Sequence, residues 1–582
     1  MSRRIARRSL LAGAGGATVV AVAGGTAAVV ATRGKGSNPQ TAPTTPSSSP
    51  SPSSTPTPSA TPISRGGIAR ITSATSFNID TFDAQLSGST ALNEVLGRTH
   101  SRLLNWDMTE LLTLKGDLAT GWEQPDDQTV LFHLDPAARW QNRPPLNGRA
   151  LTADDVVSHF RRSLELAAGG KAPLAQRYDD YATIAAVDSP EAGTVRFRLN
   201  APDPEILGTL AGEYALIQAP EAVAEFSVNW SKLDSDHVVG TGPWTFDWSD
   251  DGAKFTAFRD GHRQPYLDEL HVTEPSRAAA QHFIDGSLDE VLVRDRRDAE
   301  AIAKAFPSFE YHGPGEETSP RSIQLDRVTE MHRYEREIVM SSMYVGAPPW
   351  NDPRIVTLIS ATLNRPELAR RLFGDRAVMA PPIAPALASE PDAGISATRL
   401  KFVAGYARIE GDGTPSPELR QMWEAAGGPS LGFITIDFPS VFDPLYSASS
   451  IVVDMLNQAL GHQFVPAVET YTTISKRVLE GYYGNGRANF WFGWGAPLAS
   501  PSASRYVAHT YGTGSSTQRT TGGAGISTAG QPDLLAITDS SYFGVIPWEQ
   551  QFASVFRRPT AAGAYPSPFW NQHLDYQRHV LA

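Results

Sequence analysis

Between Ser37 and Pro62 the chain is almost entirely Pro, Ser and Thr. A stretch so poor in apolar side chains cannot bury enough surface to offset the entropy of ordering its backbone, so it favours extended, polyproline-like conformations. Its 26 residues reach up to roughly 80 Å at about 3.1 Å each. The chain is thereby divided into a short leading segment (1–36), a stalk (37–64) and a long body that has to supply all the packed structure.

The leading segment places Arg7 and Arg8 ahead of Ser9-Leu10-Leu11 and an uncharged run that ends at Ala31. This is the pattern of a twin-arginine export signal. Ala21-Val22-Ala23 and Val29-Val30-Ala31 both offer the small residues of a cleavage site. Left uncleaved, the run from Leu10 to Ala31 would extend about 33 Å as a helix, enough to cross a bilayer. Signal and membrane anchor both fit, and either delivers the body outside the cytoplasm, tethered or released. The "GAGG" at Gly13–Gly16 precedes no βαβ unit and is not read as a nucleotide loop.

Charge narrows the partners of the body. The whole chain carries 50 Lys and Arg against 62 Asp and Glu, a net of -12, and residues 1–63 hold six of the basic residues and none of the acidic ones. The remainder is 44 against 62, or -18, which repels nucleic-acid phosphates. There are no cysteines, which excludes disulfides, thiolate metal sites, cysteine nucleophiles and lipid attachment through an N-terminal cysteine.

Mixed α/β signals begin at Ile68. "TVLFHL" (Thr129–Leu134) and "TVRFRL" (Thr194–Leu199) alternate, placing Val130, Phe132, Leu134, Val195, Phe197 and Leu199 on the buried faces of strands. A helix is predicted after Thr152, a good N-cap, with Asp154 and Asp155 in its first turn and Val156, Val157, Phe160 and Leu164 on one apolar stripe. The adjacent carboxylates are read as compensating the helix dipole, because neighbours on one helix diverge and make a poor acid/base pair. No nucleophile elbow, zinc-binding helix or phosphate loop occurs. The thirteen histidines, His100, His133 and His159 among them, are scattered and read as surface or core residues without metal-ligand spacing. Neither a metal nor a cofactor is expected. A glycosidase using two dispersed carboxylates leaves no local motif and stays open as a lesser alternative.

Read in order, the segments Phe77–Asp107 and Leu118–Glu165, the turn "VVGTGPWTF" (Val238–Phe246), "GHRQPYLDELHV" (Gly261–Val272), "IDGSLDEV" (Ile284–Val291) and the helical stretch Ala347–Ala377 resemble the family 5 extracellular solute-binding proteins, the peptide- and nickel-type receptors of ABC importers. The resemblance covers Ile68 to about Arg505. It implies an α/β, two-lobed periplasmic-binding-protein fold of the large class, with mixed sheets, an extra subdomain and a hinge between lobes. Lobe 1 would span 65–335 with the subdomain at about 106–228, lobe 2 would span 336–565, and 566–582 would return to lobe 1, stopping some tens of residues sooner than is usual in the family. A polar insertion between Phe306 and Tyr334 has no counterpart in this scheme.

The function this implies is capture of a small solute, oligopeptide-like or non-peptidic, by closure of two lobes and its delivery to permease subunits in the membrane, by a monomer that makes and breaks no bond. Hinge closure around a ligand is the familiar behaviour of this class of protein, so the mechanism comes with the resemblance. A receptor that reports to a membrane sensor would share the fold. By position, Asn78 and Asp80 in the first-strand loop, Tyr178 in the subdomain, and Met343 and Tyr344 in a crossing strand at Met340–Gly346 fall where the family contacts ligand.

The stretch "FWFGWGAPLASP" (Phe490–Pro501) resembles the cleft-lining strand. Alternation separates Phe490, Phe492 and Trp494 from Trp491 and Gly493. Phe490 and Phe492 are assigned to the core, and Trp494 with Ala496 and Pro497 to the cleft wall. Trp491 fits either place. In peptide-binding members a carboxylate three residues after the Gly-Trp tryptophan holds the peptide ammonium. Here that position is Pro497, and the next carboxylate downstream is Asp533. A proline can neither pair with an ammonium nor donate an N–H, which turns the expectation away from free peptides.

Overall fold

A computed structural model describes residues 66–73, 77, 79–87, 90–106, 114–168, 178–212, 214–265, 267–293, 296–308, 310–312, 332–342, 358–359, 362–364, 367–368, 370–371, 378–379, 417–440, 445–470, 473–474, 477, 489–494 and 546–557. Among the predicted site residues, Asn78, Met343, Tyr344, Ala496 and Pro497 lie outside these, as do the leading segment and the stalk.

The first half of the chain begins with β1 (Ile68–Thr72), α1 (Thr90–Thr99), β2 (Leu104–Trp106), β3 (Leu114–Gly116), β4 (Ala119–Asp126), β5 (Thr129–Leu134) and α2 (Ala153–Ala168). It continues with β6 (Ile184–Glu191), β7 (Thr194–Leu199), α3 (Ile206–Leu210), α4 (Pro220–Phe226), β8 (Trp244–Ser249), β9 (Gly252–Ala257), β10 (Glu269–Thr273), α5 (Ala279–Asp285), β11 (Glu290–Val293), α6 (Arg296–Ala305) and β12 (Glu310–His312). Then come β13 (His332–Ser342), β14 (Val378–Met379), α7 (Pro417–Ala425), β15 (Ile434–Pro439), α8 (Leu445–Leu460), β16 (Phe464–Glu469), β17 (Asn489–Trp494) and β18 (Ile546–Arg557).

The strands Thr129–Leu134 and Thr194–Leu199 form with the bounds their alternation predicts. Val130, Phe132, Val195 and Phe197 are fully buried and Leu199 nearly so, while Leu134 packs at the edge of the core. These strands belong to a separate four-stranded sheet, β4-β5-β7-β6, which α2 covers. Phe160 on α2 meets Phe197 edge-on at 4.9 Å, and Phe132 meets Phe197 at 5.6 Å. Each such aromatic pair adds about 0.5–1.5 kcal/mol to the burial itself.

The start of α2 explains its two carboxylates. The Thr152 N–H donates to Asp155 Oδ2 at 2.9 Å, the side-chain half of a capping box. Asp155 is buried and Asp154 exposed, so the pair diverges. Arg149 grips Asp155 through two bonds of 2.8 and 2.7 Å, and the Trp140 indole N–H donates to it at 3.2 Å. Burial would raise the Asp155 carboxyl, but the Arg149 bonds and the Thr152 N–H outweigh it and hold it below the usual carboxylate range.

The turn "GTGP" is glycine-rich for a packing reason. A Cβ on Gly240 would collide with the Thr99 carbonyl oxygen, and one on Gly242 would lie 2.5 Å from the Thr99 carbonyl carbon. The turn lies directly on the end of α1, fastened by the Gly242 N–H to Thr99 O at 2.8 Å. Gln141 completes the joint. Its Nε2 donates to Thr99 O, Gly242 O and Trp244 O at 3.2, 3.3 and 2.5 Å, and its Oε1 accepts from Gly240 N at 3.3 Å.

The largest sheet has the order β16-β15-β17-β13-β18-β11-β1-β10-β9-β8, with β12 beside β13 and β14 beside β18. Its centre is the long antiparallel pair β13/β18, in register from His332 opposite Arg557 to Met340 opposite Glu549. One end of the pair belongs to the first half of the chain, because β11 joins β18 between Val293–Ser554 and Glu290–Arg557. The other end belongs to the second half, because β17 joins β13 at Met340–Ser342 and β14 joins β18 at Glu549–Gln550. The crossing strand thus begins at His332, ahead of the predicted Met340. Its run "RYEREIVM" is rich in charge, which in sequence hides a strand whose neighbours are supplied from distant parts of the chain.

Candidate functional site

Strand direction locates a crevice. β1 runs parallel to β10 and β11, and their carboxyl ends point along the crossing pair toward the second half. β15 runs parallel to β16 and β17, and β17 is antiparallel to β13 with Trp494 opposite Met340 and Phe492 opposite Ser342. Their carboxyl ends therefore point back toward the first half. In open α/β sheets ligands bind outside the carboxyl ends of parallel strands. Here two such sets face each other across β13/β18, and Trp494 is the last residue of β17.

On the first-half side the loop after β1 is held rather than loose. The Ser73 N–H donates to Thr273 O at 2.8 Å. Asp83 is buried and takes two bonds from Arg162 of α2 at 3.0 and 2.6 Å. Gln85 Nε2 donates to the His159 carbonyl at 2.7 Å. Gln218 clamps the loop by accepting from Ala84 N at 3.0 Å and donating to Phe82 O at 2.8 Å. Within this frame Ile79 is buried, while Asp80 is exposed and accepts from the Ser87 hydroxyl at 2.8 Å. Beneath it, Phe82 and Phe77 pack on Trp248 at 6.3 and 5.7 Å.

On the second-half side, Asp437 of β15 is buried in register with Trp491 of β17. Arg477 joins Asp437 to Glu469, the last residue of β16, at 2.6 and 2.9 Å. Although burial works against the charge, the bonds to Asp437 prevail, with Glu469 adding to them, and they raise the Arg477 pKa. The bridge ties the carboxyl ends of two strands together.

The predicted site residues are therefore distributed as follows. Asp80 lies in the loop that follows β1, exposed and bonded to Ser87, and Trp491 and Trp494 are on β17. Tyr178 opens a 3₁₀ turn, Tyr178–Tyr181, in the four-stranded subdomain. The prediction missed the second crossing strand, which brings Glu549 and Gln550 beside Met340 and Val339. The alternation in "IPWEQQFASVFR" was its available signal. Among the described residues no group of three or more His, Asp or Glu is placed to hold a metal ion.

Two lobes joined by a crossing pair, with a crevice between them, define the class of the periplasmic binding proteins. The solved structures bear this out for the fold. A substrate-binding domain of an oligopeptide ABC transporter from Bacillus anthracis str. Ames aligns with TM-score 0.65 at 16% identity, covering 87% of this chain and 99% of that one. The binding protein AgaA of A. tumefaciens R10, solved with agropinic acid, aligns with TM-score 0.63 at 17% identity, covering 88% and 98%. Residues 113–512 match the model of the bacterial extracellular solute-binding proteins, family 5, and the chain belongs to that family. A putative ABC transporter peptide-binding protein of Brucella ovis is 29% identical over 297 residues, 46% of this chain and 52% of the relative. The chain thus spans about half the length of that curated relative.

Proposed function

We propose that this chain is the extracytoplasmic substrate-binding component of an ABC importer. It captures a small solute, peptide-like or non-peptidic, between two lobes and presents it to a membrane permease without making or breaking bonds. The observation that carries this reading is the meeting of two sets of parallel-strand carboxyl ends across β13/β18. A ligand touching both sides favours the closed arrangement by its differential affinity for it. The proposed ligand contacts are Asn78, Asp80, Tyr178, Met343, Tyr344, Trp491, Trp494, Ala496 and Pro497.

The proposed first lobe is 65–335, with the subdomain at 106–228, and the second lobe starts at 336. The second lobe is proposed to run to 565, with 566–582 returning to the first lobe. The leading segment, whether cleaved as a twin-arginine signal or kept as an anchor, and the stalk are proposed to hold the monomeric body at the outer membrane face. The relative named for peptide binding, together with the neighbour solved with agropinic acid, supports an organic ligand.

Mass spectrometry of what co-purifies with the protein identifies the ligand. Adding it back should change tryptophan fluorescence and shrink the radius of gyration in X-ray scattering, and Trp494→Ala should lose that response at unchanged melting temperature. A Trp494→Ala variant that binds normally but unfolds far more easily would place Trp494 in the core and sink the site.

A further inference from the structure

One helix holds the loop that follows β1. His159, Arg162 and Ser163 stand at i, i+3 and i+4 on α2 and so share a face. From that face Arg162 spans Asp83, with Nη1 donating to Oδ1 at 3.0 Å and Nη2 to Oδ2 at 2.6 Å, and it also donates to Gln85 Oε1. Gln85 Nε2 donates in return to the His159 carbonyl at 2.7 Å and to the Ser163 hydroxyl. His159 Nδ1 accepts from the Gln218 N–H at 3.2 Å, and the Gln218 side chain closes on Phe82 O and Ala84 N. Phe82, Asp83, Ala84 and Gln85 are thus gripped one after another.

A second face of α2 carries Val156 and Phe160, both buried, and Phe160 packs on Phe197 of the four-stranded sheet at 4.9 Å. Phe160 also meets Tyr181 edge-on at 5.5 Å, and Tyr181 closes the 3₁₀ turn that Tyr178 opens. The same helix therefore fixes two elements that carry predicted ligand contacts, the loop of Asp80 and the turn of Tyr178. The two attachments differ in kind. The aromatic one lies in the core, whereas the Arg162 side chain is 21% exposed and that of Asp83 only 1%. Loss of Arg162 would leave a buried carboxylate without its cation, and the loop can relieve that by moving out into water while α2 keeps its packing on the sheet.

Resting on the binding function proposed above, we propose that Arg162 and Gln218 are positioning residues for capture: through them α2 holds the loop after β1 in its ligand-competent place, without either residue touching the ligand. A surface ordered before the ligand arrives spares the ordering cost at binding. Where only a fraction of the molecules holds the competent loop, apparent affinity falls by that fraction. A released loop that is competent in about one molecule in ten to one in a hundred weakens binding about 10- to 100-fold, with the crevice contacts themselves unaltered. The chemistry selects Arg162 for this task. Its planar fork matches both oxygens of Asp83 and reaches Gln85 as well, which a lysine ammonium cannot reproduce. Gln218 supplies a donor and an acceptor to the loop backbone, and it is itself oriented by His159.

The test is amide hydrogen exchange of the full chain, freed of small molecules by dialysis, read by mass spectrometry at pH 7 with the melting temperature measured alongside. Arg162→Gln should speed exchange across residues 82–87 about 10- to 100-fold and leave Thr129–Leu134 and Thr194–Leu199 unchanged. Arg162→Lys should fall between it and wild type, and carries the comparison if Arg162→Gln does not fold. Val130→Ala, in the core of the four-stranded sheet, should lower the melting temperature at least as much while sparing the loop. The compound extracted from denatured wild-type protein, added back in calorimetry well below the melting transitions, should bind Arg162→Gln and Gln218→Ala about 10- to 100-fold more weakly and Val130→Ala as tightly as wild type. Loop protection that survives Arg162→Gln, or an equal loss of affinity in Val130→Ala, overturns the proposal and leaves the binding function intact. A released loop with unchanged affinity overturns it too. A chain that yields and binds no compound refutes the binding function instead, and the exchange rates still decide whether α2 holds the loop.

Discussion

Acid should unfold the first lobe through two histidines. His100 and His159 are buried at 2% and 3% exposure. Burial pushes both imidazoles down to about 3, and in His159 the charges of Arg162 and His100 add to the effect. His159 Nδ1 accepts from the Gln218 N–H at 3.2 Å, so its neutral form is built into the clamp on the crevice loop. An unfolded chain returns each imidazole to about 6.5. The unfolded state then binds more protons between pH 6.5 and 3, and stability, complete above about 6.5, falls as pH drops through that window. From pH 7 to pH 5 each histidine removes about 2 kcal/mol, or about 4 together, a large share of the 5–15 kcal/mol typical of a folded domain. The depressed Asp117 and Asp155 act below the ordinary carboxylate range and leave this window to the histidines. Urea unfolding followed by circular dichroism at pH 7, 6 and 5 measures the slope. His159→Asn, which keeps an acceptor near Nδ1, should lower stability at pH 7 and reduce the pH 7-to-5 loss by about half. A midpoint that is flat or rises from pH 7 to pH 5 would refute the reasoning.

Three further outcomes are expected. Gly242→Ala, whose Cβ would lie 2.5 Å from backbone atoms of Thr99, should cost about 1–3 kcal/mol or more because neither backbone can give way, read as a drop in melting temperature. Arg149→Leu should cost about 1–3 kcal/mol in urea unfolding. It leaves Asp155 buried without its cation, and the figure is below that of a fully buried pair because the Arg149 side chain is 30% exposed. Unblocked di- to pentapeptides should bind at least about 10-fold more weakly than the co-purified ligand. Calorimetry showing submicromolar affinity for such a library would overturn the reading of Pro497.

Local chemistry was legible in the sequence where it is self-contained. The bounds of Thr129–Leu134 and Thr194–Leu199 followed from alternation. The entry to α2 followed from Thr152 and its acidic first turn, although the reason for Asp155 differed. It serves the dipole and, more directly, caps the helix and anchors Arg149. The histidines could be assigned to surface or core from sequence, but only packing distinguishes His133, exposed beside Glu123, from His100 and His159. Likewise the glycines of "GTGP" mark a turn in any sequence, while the surface that requires them, the end of α1, lies more than a hundred residues earlier.

The crossing pair was the hardest element to read, and the reason bears on the site. β13 and β18 are separated by more than two hundred residues, so neither strand's local pattern identifies its partner, and register is a property of the pair. A carboxylate sought along β17 alone is absent at Pro497. Across the sheet, Met340 stands in register with Trp494 on one side and with Glu549 on the other. A binding crevice assembled from the ends of many strands is specified by rows across the sheet. A single sequence position such as Pro497 therefore says little about what the other strands bring to the same row, because the register that decides it is a property of the paired strands.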